Sequence, residues 1–150
     1  MKKILYLAVL LTSLAATAAT PPAISEKVLK VFKETFTTAE NVTWSEFENK
    51  TYQANFNQSE IIVKAIFDND GNMLETIRYY GEKNLPINIL AKLKKKYTDK
   101  EIFGVTELIS ENEVSYYITL KDEKNWVIVK SDPYANLQQT EKFKNAEANK

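Results

Sequence analysis

Residues 51–80 read TYQANFNQSEIIVKAIFDNDGNMLETIRYY. Within them Tyr52, Ala54 and Phe56 alternate with Gln53 and Asn55, and Ile61, Val63, Ala65 and Phe67 alternate with Ile62, Lys64 and Ile66. A period of two sends successive side chains to opposite faces, which is the pattern of half-buried strands. Asp68-Asn69-Asp70-Gly71-Asn72 then supplies residues that tolerate positive φ, and Met73–Tyr80 resumes the extended pattern. Asp-Gly between two such runs predicts an antiparallel hairpin. Upstream, Val42–Phe47 reads as one further strand.

On either side of these strands the period changes. Ile24, Val28, Val31, Phe32 and Phe36 recur at helical spacing, with Glu26, Lys27, Lys30, Lys33 and Glu34 on the other face. Leu85-Pro86 opens a second helix, with Pro in its first turn and Ile89, Leu90, Leu93 and Tyr97 as its apolar stripe. Strands are again predicted at Ile102–Ile109, Val114–Lys121, Asn125–Lys130 and Leu137–Phe143, joined by short polar links such as Glu111-Asn112 and Asp122–Asn125. Phe36 and Tyr97 are 61 residues apart, Tyr52 and Tyr116 64, Leu74 and Leu137 63. The reading is an α+β fold built as a tandem repeat, each unit a helix plus a four-stranded antiparallel meander, at about residues 22–81 and 84–143. Both helices pack on one face of the sheet and the other face stays open. Residues 144–150, and the polar stretch from Glu141, are expected to fray.

The chain has 150 residues, 20 Lys+Arg against 20 Asp+Glu, and neither His nor Cys. Imidazole triads, thiolate nucleophiles, disulfides and Cys/His zinc sites are therefore excluded. Met1-Lys2-Lys3, the apolar run Ile4–Leu14 and the small residues Ala15–Ala19 form the pattern of a secretory signal peptide over 1–19, with Ala16-Thr17-Ala18 as its small-x-small cleavage site. The rival reading, an uncleaved anchor, would need an apolar run nearer the roughly 20 residues that span a bilayer. The mature domain, 20–143, is expected in the periplasm or at the cell surface. Without Lys2 and Lys3 the balance is 18 − 20 = −2, and Arg78 is the sole arginine. Neither feature favours nucleic acid as a partner.

The helix ending in Phe36, Val42-Thr43-Trp44, Tyr52-Gln53-Ala54-Asn55-Phe56, Ala65-Ile66-Phe67-Asp68, Asp70-Gly71-Asn72-Met73-Leu74-Glu75-Thr76 and Leu85-Pro86 together resemble the PepSY-like family of exported bacterial proteins, also described as β-lactamase-inhibitor-like. The resemblance covers nearly all of the mature chain. It implies tandem α/β units, an antiparallel sheet with one face available for docking, and no catalytic residues. No loop of this chain matches an inhibitory motif.

Several residues invite chemistry. Asp68-x-Asp70-Gly71-Asn72 opens like a cation loop, but an EF-hand needs Gly sixth and Glu twelfth, where this chain has Gly fourth and Tyr79 twelfth. Glu46, Glu48, Glu60, Asp68, Glu107, Glu111 and Glu113 are available for carboxylate chemistry, but most are expected at solvated strand ends. The triplets at Asn41, Asn49 and Asn57 read as coincidence, and Lys92, Lys94, Lys95, Lys96 and Lys100 as a solvated helix end. Trp44 is read as a core anchor. With Tyr52, Ala54, Phe56, Tyr116, Ile118 and Leu120 facing the helices, Gln53, Asn55, Lys64, Ile66, Tyr117 and Thr119 face away, and Trp126 joins them if its register places it there. That set is either a protein-docking patch or a group of cross-strand pairs that only steadies the sheet. The leading reading is a non-enzymatic binding protein, a monomer or weak dimer, with no cofactor and no metal, that restrains another envelope protein such as a hydrolase. The runner-up is a small-ligand or peptide carrier using a crevice between the repeats.

Overall fold

A computed structural model describes residues 23–145; the expected signal peptide and residues 146–150 lie outside them. In chain order the elements are α1 (Glu26–Thr35), β1 (Glu40–Phe47), β2 (Thr51–Gln58), β3 (Ile61–Phe67), β4 (Met73–Tyr80), α2 (Ile87–Lys96), β5 (Glu101–Ser110), β6 (Glu113–Lys121), β7 (Asn125–Ser131) and β8 (Leu137–Lys144). The strands form one antiparallel sheet in the order β1 to β8, each paired with its neighbours in sequence.

This corrects the predicted architecture. The tandem α+β reading divides the chain between β4 and β5, yet these strands share a continuous ladder from Glu75↔Ser110 to Tyr80↔Val105. A free strand edge presents unpaired N–H and C=O groups, and pairing β4 with β5 removes two such edges at once. The described residues form a single eight-stranded sheet, mostly β, with two ten-residue α-helices, and not two helix-plus-four-strand units.

Each helix buries a narrow stripe on the same side of the sheet. Val28 and Phe32 of α1 pack on Tyr52, Ala54, Phe56, Val63, Ala65 and Phe67, with Trp44 and Phe36 partly buried against them. Ile89 and Leu93 of α2 pack on Tyr80, Val105, Ile118, Leu120, Val127 and Val129. Both helices end on an aromatic residue, the N–H groups of Phe36 and Tyr97 donating to the carbonyls of Phe32 and Leu93 at 2.8 Å. Pro86 stands just before α2 and not inside its first turn. The polar stretch Glu141–Lys144 is not frayed; it pairs with Asn125–Ile128, and the Asn145 N–H donates to the Lys124 carbonyl at 2.8 Å.

The β3–β4 turn is locked to α1. The Asp68 carboxylate accepts the N–H groups of Asp70 and Asn72 at 2.9 Å and the Asn72 side chain at 2.7 Å, and Lys27 reaches Asp70 at 2.8 Å. The bond from the Asn72 side chain, ahead of the backbone donors, holds the Asp68 carboxyl below its usual range. Gly71 sits at φ +90°, and a Cβ there would lie 3.2 Å from the Lys27 carbonyl oxygen and 3.3 Å from Val31 Cγ2. Strained backbone and crowding against a helix carbonyl act together, so Gly71→Ala is expected to destabilise by about 1–3 kcal/mol. A urea titration checks this.

A second clamp joins the start of β5 to the β6–β7 turn. Lys100, its side chain 11% exposed, bonds Asp122 and also Asp99 at 3.1 Å. The Lys100 ammonium, followed by the N–H groups of Lys124 and Asn125, holds the Asp122 carboxyl far below the ordinary carboxylate range. Because the folded pKa lies below the unfolded one, this contribution is full above the unfolded value of about 3.9 and is lost as pH falls through and below it. Asp122→Asn is expected to lower the melting temperature at pH 7 and to flatten the acid limb of a melting-temperature profile between pH 7 and 2.

Candidate functional site: the helix-free face of the sheet

Strand register fixes which side chains share the face away from the helices. One row across the sheet runs Thr43, Asn55, Lys64, Ile77, Leu108, Ser115. The next runs Asn57, Ile62, Tyr79, Thr106, Tyr117, Lys130, Gln138. Towards one end of the sheet follow Gln53, Ile66, Glu75 and Ser110, and towards the other Thr119 with Ile128, then Lys121, Trp126 and Phe143.

All seven residues that the sequence singles out stand on this face, in two groups. Gln53 pairs with Ile66 and Asn55 with Lys64, and the Gln53 amide donates to Asn55 at 2.7 Å. Tyr117, Thr119 and Trp126 lie on β6 and β7, opposite Lys130, Ile128 and Lys121. β4 and β5 separate the groups, so three strand spacings, roughly 14 Å, divide β3 from β6. Trp126 meets Phe103 edge-to-face with centroids 4.8 Å apart.

Alternation in β3 places Ile62 (55% exposed) outside, but sequence reasoning missed the centre of the surface, Ile77, Tyr79 and Leu108, and the exposed Phe103 (61%). The cause lies on the opposite side of β4 and β5, where the binary pattern is inverted. Thr76, Arg78 and Glu107 point towards the helices, which forces Ile77, Tyr79 and Leu108 outward. Glu107, 6% exposed, accepts from Arg78 at 2.8 Å and from the Tyr80 hydroxyl at 2.5 Å. Burial first, then the bond to Glu107, pushes the Tyr80 hydroxyl well above the tyrosine range, and burial raises Tyr116 beside it. The usable signal was Arg78 and Glu107 at strand centres, since two opposite charges at buried positions are satisfied by each other.

Lysines decorate the open face over aromatic rings. Lys64 stands 5.6 Å from the Tyr79 centroid, Lys130 5.5 Å from Tyr117, and Lys121 5.1 Å from Phe103 while bonded to Glu101 at 2.9 Å. The contacts of Lys64 and Lys130 each cross to the next strand, so they also steady neighbouring strands.

Four of the seven carboxylates that the sequence offers for chemistry, and Asp70 with them, are held in structural pairs. Asp68 is taken by N–H donors, Asp70 by Lys27, Glu46 by Lys50, Glu60 by Lys83 and Glu107 by Arg78. No cluster of acidic residues able to hold a metal occurs among the described residues. Open clefts of about 800 and 420 Å³ lie at one end of the sheet around Lys100 and Glu101, and every lining residue is at or beyond Glu82. Neither cleft lies between the two halves of the chain, where a carrier crevice was expected. No described helix is long and apolar enough to cross a membrane.

No family model matches the chain, and no curated protein matches its sequence. Solved structures do. A BLIP-like protein from Bacteroides fragilis superposes with a TM-score of 0.65 at 20% identity, over 85% of this chain and 92% of that one. A DUF2874 family protein from Bacteroides ovatus gives 0.61 at 18% identity, over 83% and 88%. A protein from Bacteroides eggerthii, assigned provisionally to the periplasm, gives 0.61 at 14% identity, over 79% and 89%. The chain thus shares its fold with BLIP-like and DUF2874 proteins.

Proposed function

We propose that this is an exported, non-enzymatic protein of the periplasm that grips another envelope protein through the helix-free face of its sheet. One observation carries the reading. Apolar and aromatic side chains, from Ile62 and Ile77 through Tyr79, Leu108 and Tyr117 to Ile128, Trp126 and Phe103, stand among Thr106, Thr119 and lysines on a face that no described helix covers. Surfaces of this kind mark interaction sites, and aromatic side chains bring large contact area at low entropic cost. The leader-like sequence at 1–19 and the likeness to a protein assigned to the periplasm support the location. The likeness to a BLIP-like protein supports an inhibitor-like activity against a hydrolase, and the PepSY-like resemblance of the sequence agrees with a non-catalytic role.

The test is affinity capture from an envelope extract with tagged mature protein, wild type against Tyr117→Ala and Ile62→Ala. A partner held by wild type and lost by both variants, at unchanged melting temperature, is the expected result. The same partner recovered by all three would remove the open face as the docking surface.

A further inference from the structure

We infer that the partner offers carboxylates to the centre of the open face, around an apolar contact; the inference rests on the docking reading above. In the two central rows, from β2 to β7, the charged residues are Lys64 and Lys130, with no carboxylate among them. Among the described residues neither Lys64 nor Lys130 takes part in an ion pair, as is also true of several lysines on the helices and turns, and what sets these two apart is their place over tyrosine rings on the open face. Both ammonium groups lie over tyrosine rings beside Ile62, Ile77 and Leu108, the residues that any docked surface must cover.

Covering an ammonium without giving it a counter-charge is costly. The carboxylate in those rows is Glu40 on edge strand β1, opposite Asn57, two strands from Lys64 and six from Lys130, while Glu75 stands in the next row opposite Ile66. The partner must therefore supply it. The lysines stand four strand spacings apart, roughly 19 Å, so the acidic groups flank the apolar contact on both sides. The tyrosine rings hold the lysine heads on the face before binding, which reduces the ordering that association requires. Because those rings already carry a cation, they are poorer platforms for stacking a neutral sugar.

The experiment selects phage-displayed random short peptides on the mature protein. Enriched sequences are then synthesised and titrated against wild type, Lys64→Gln/Lys130→Gln and Ile62→Ala/Tyr117→Ala, with circular dichroism to confirm folding. Enrichment in Asp and Glu beside apolar residues, with affinity falling about tenfold in the lysine variant and falling also in the apolar variant, is expected. Neutral or basic peptides that depend on Ile62 and Tyr117 but not on the lysines would overturn the charge assignment and leave the docking face in place. Peptides insensitive to both variants, or no enrichment, would overturn both.

Discussion

Phe32→Ala is expected to lower the unfolding free energy by about 3–5 kcal/mol, the usual cost of emptying a buried aromatic site. Phe32 is 6% exposed, and its ring meets Trp44 and Phe56 at 5.1 Å, Phe36 at 5.4 Å and Phe67 at 6.5 Å. It is the point where α1 enters the sheet, and with Val28 it is one of the two residues that α1 buries. Its loss removes contacts with three strands at once. Urea unfolding followed by tryptophan fluorescence measures the effect, with Trp44 reporting this core directly. A loss below about 1 kcal/mol would mean that α1 contributes little to holding β1–β3.

Glu107→Ala is expected to cost about 3 kcal/mol, because it strands two partners at once. The Tyr80 hydroxyl, 6% exposed as a residue, loses its acceptor, and Arg78 loses its counter-charge. The Arg78 side chain is 34% exposed, and water that reaches it keeps the figure at the lower end of the range for breaking a buried pair. Replacing the set together, Glu107→Leu with Arg78→Leu and Tyr80→Phe, should recover most of the loss, since an apolar substitute leaves nothing unsatisfied. Thermal melts of the single and triple variants decide between these outcomes. The pair bridges β4 and β5, so the same variants probe the junction that makes the strands one sheet.

The elements were legible in the sequence wherever one rule governed them. Tyr52–Phe56 and Val114–Lys121 alternate cleanly because each has one face in a core and one in water, and the strands lie where that period places them. The Asp-Gly turn was legible because Gly71 needs its positive φ. What failed was the grouping of elements. Nothing local in Met73–Tyr80 or Ile102–Ile109 says that two outer strands will pair with each other, since that is decided by edge satisfaction across the whole sheet. The open face was half legible for a related reason. Gln53, Asn55, Lys64, Ile66, Tyr117 and Thr119 follow from alternation beside clear core positions. Ile77, Tyr79 and Leu108 do not, because Arg78 and Glu107 satisfy each other inside and turn the apolar residues out.

The central claim is that the helix-free face is where a partner docks. Hydroxyl-radical footprinting of the complex recovered from an envelope extract tests it most directly, because both faces of this sheet carry reporter rings. Tyr79, Tyr117, Phe103 and Trp126 report the open face, and Tyr134, 83% exposed in the β7–β8 turn beside α2, reports the helix side. The account predicts protection of the first four and unchanged oxidation of Tyr134. Protection of Tyr134 with Tyr117 and Trp126 still oxidised would contradict it.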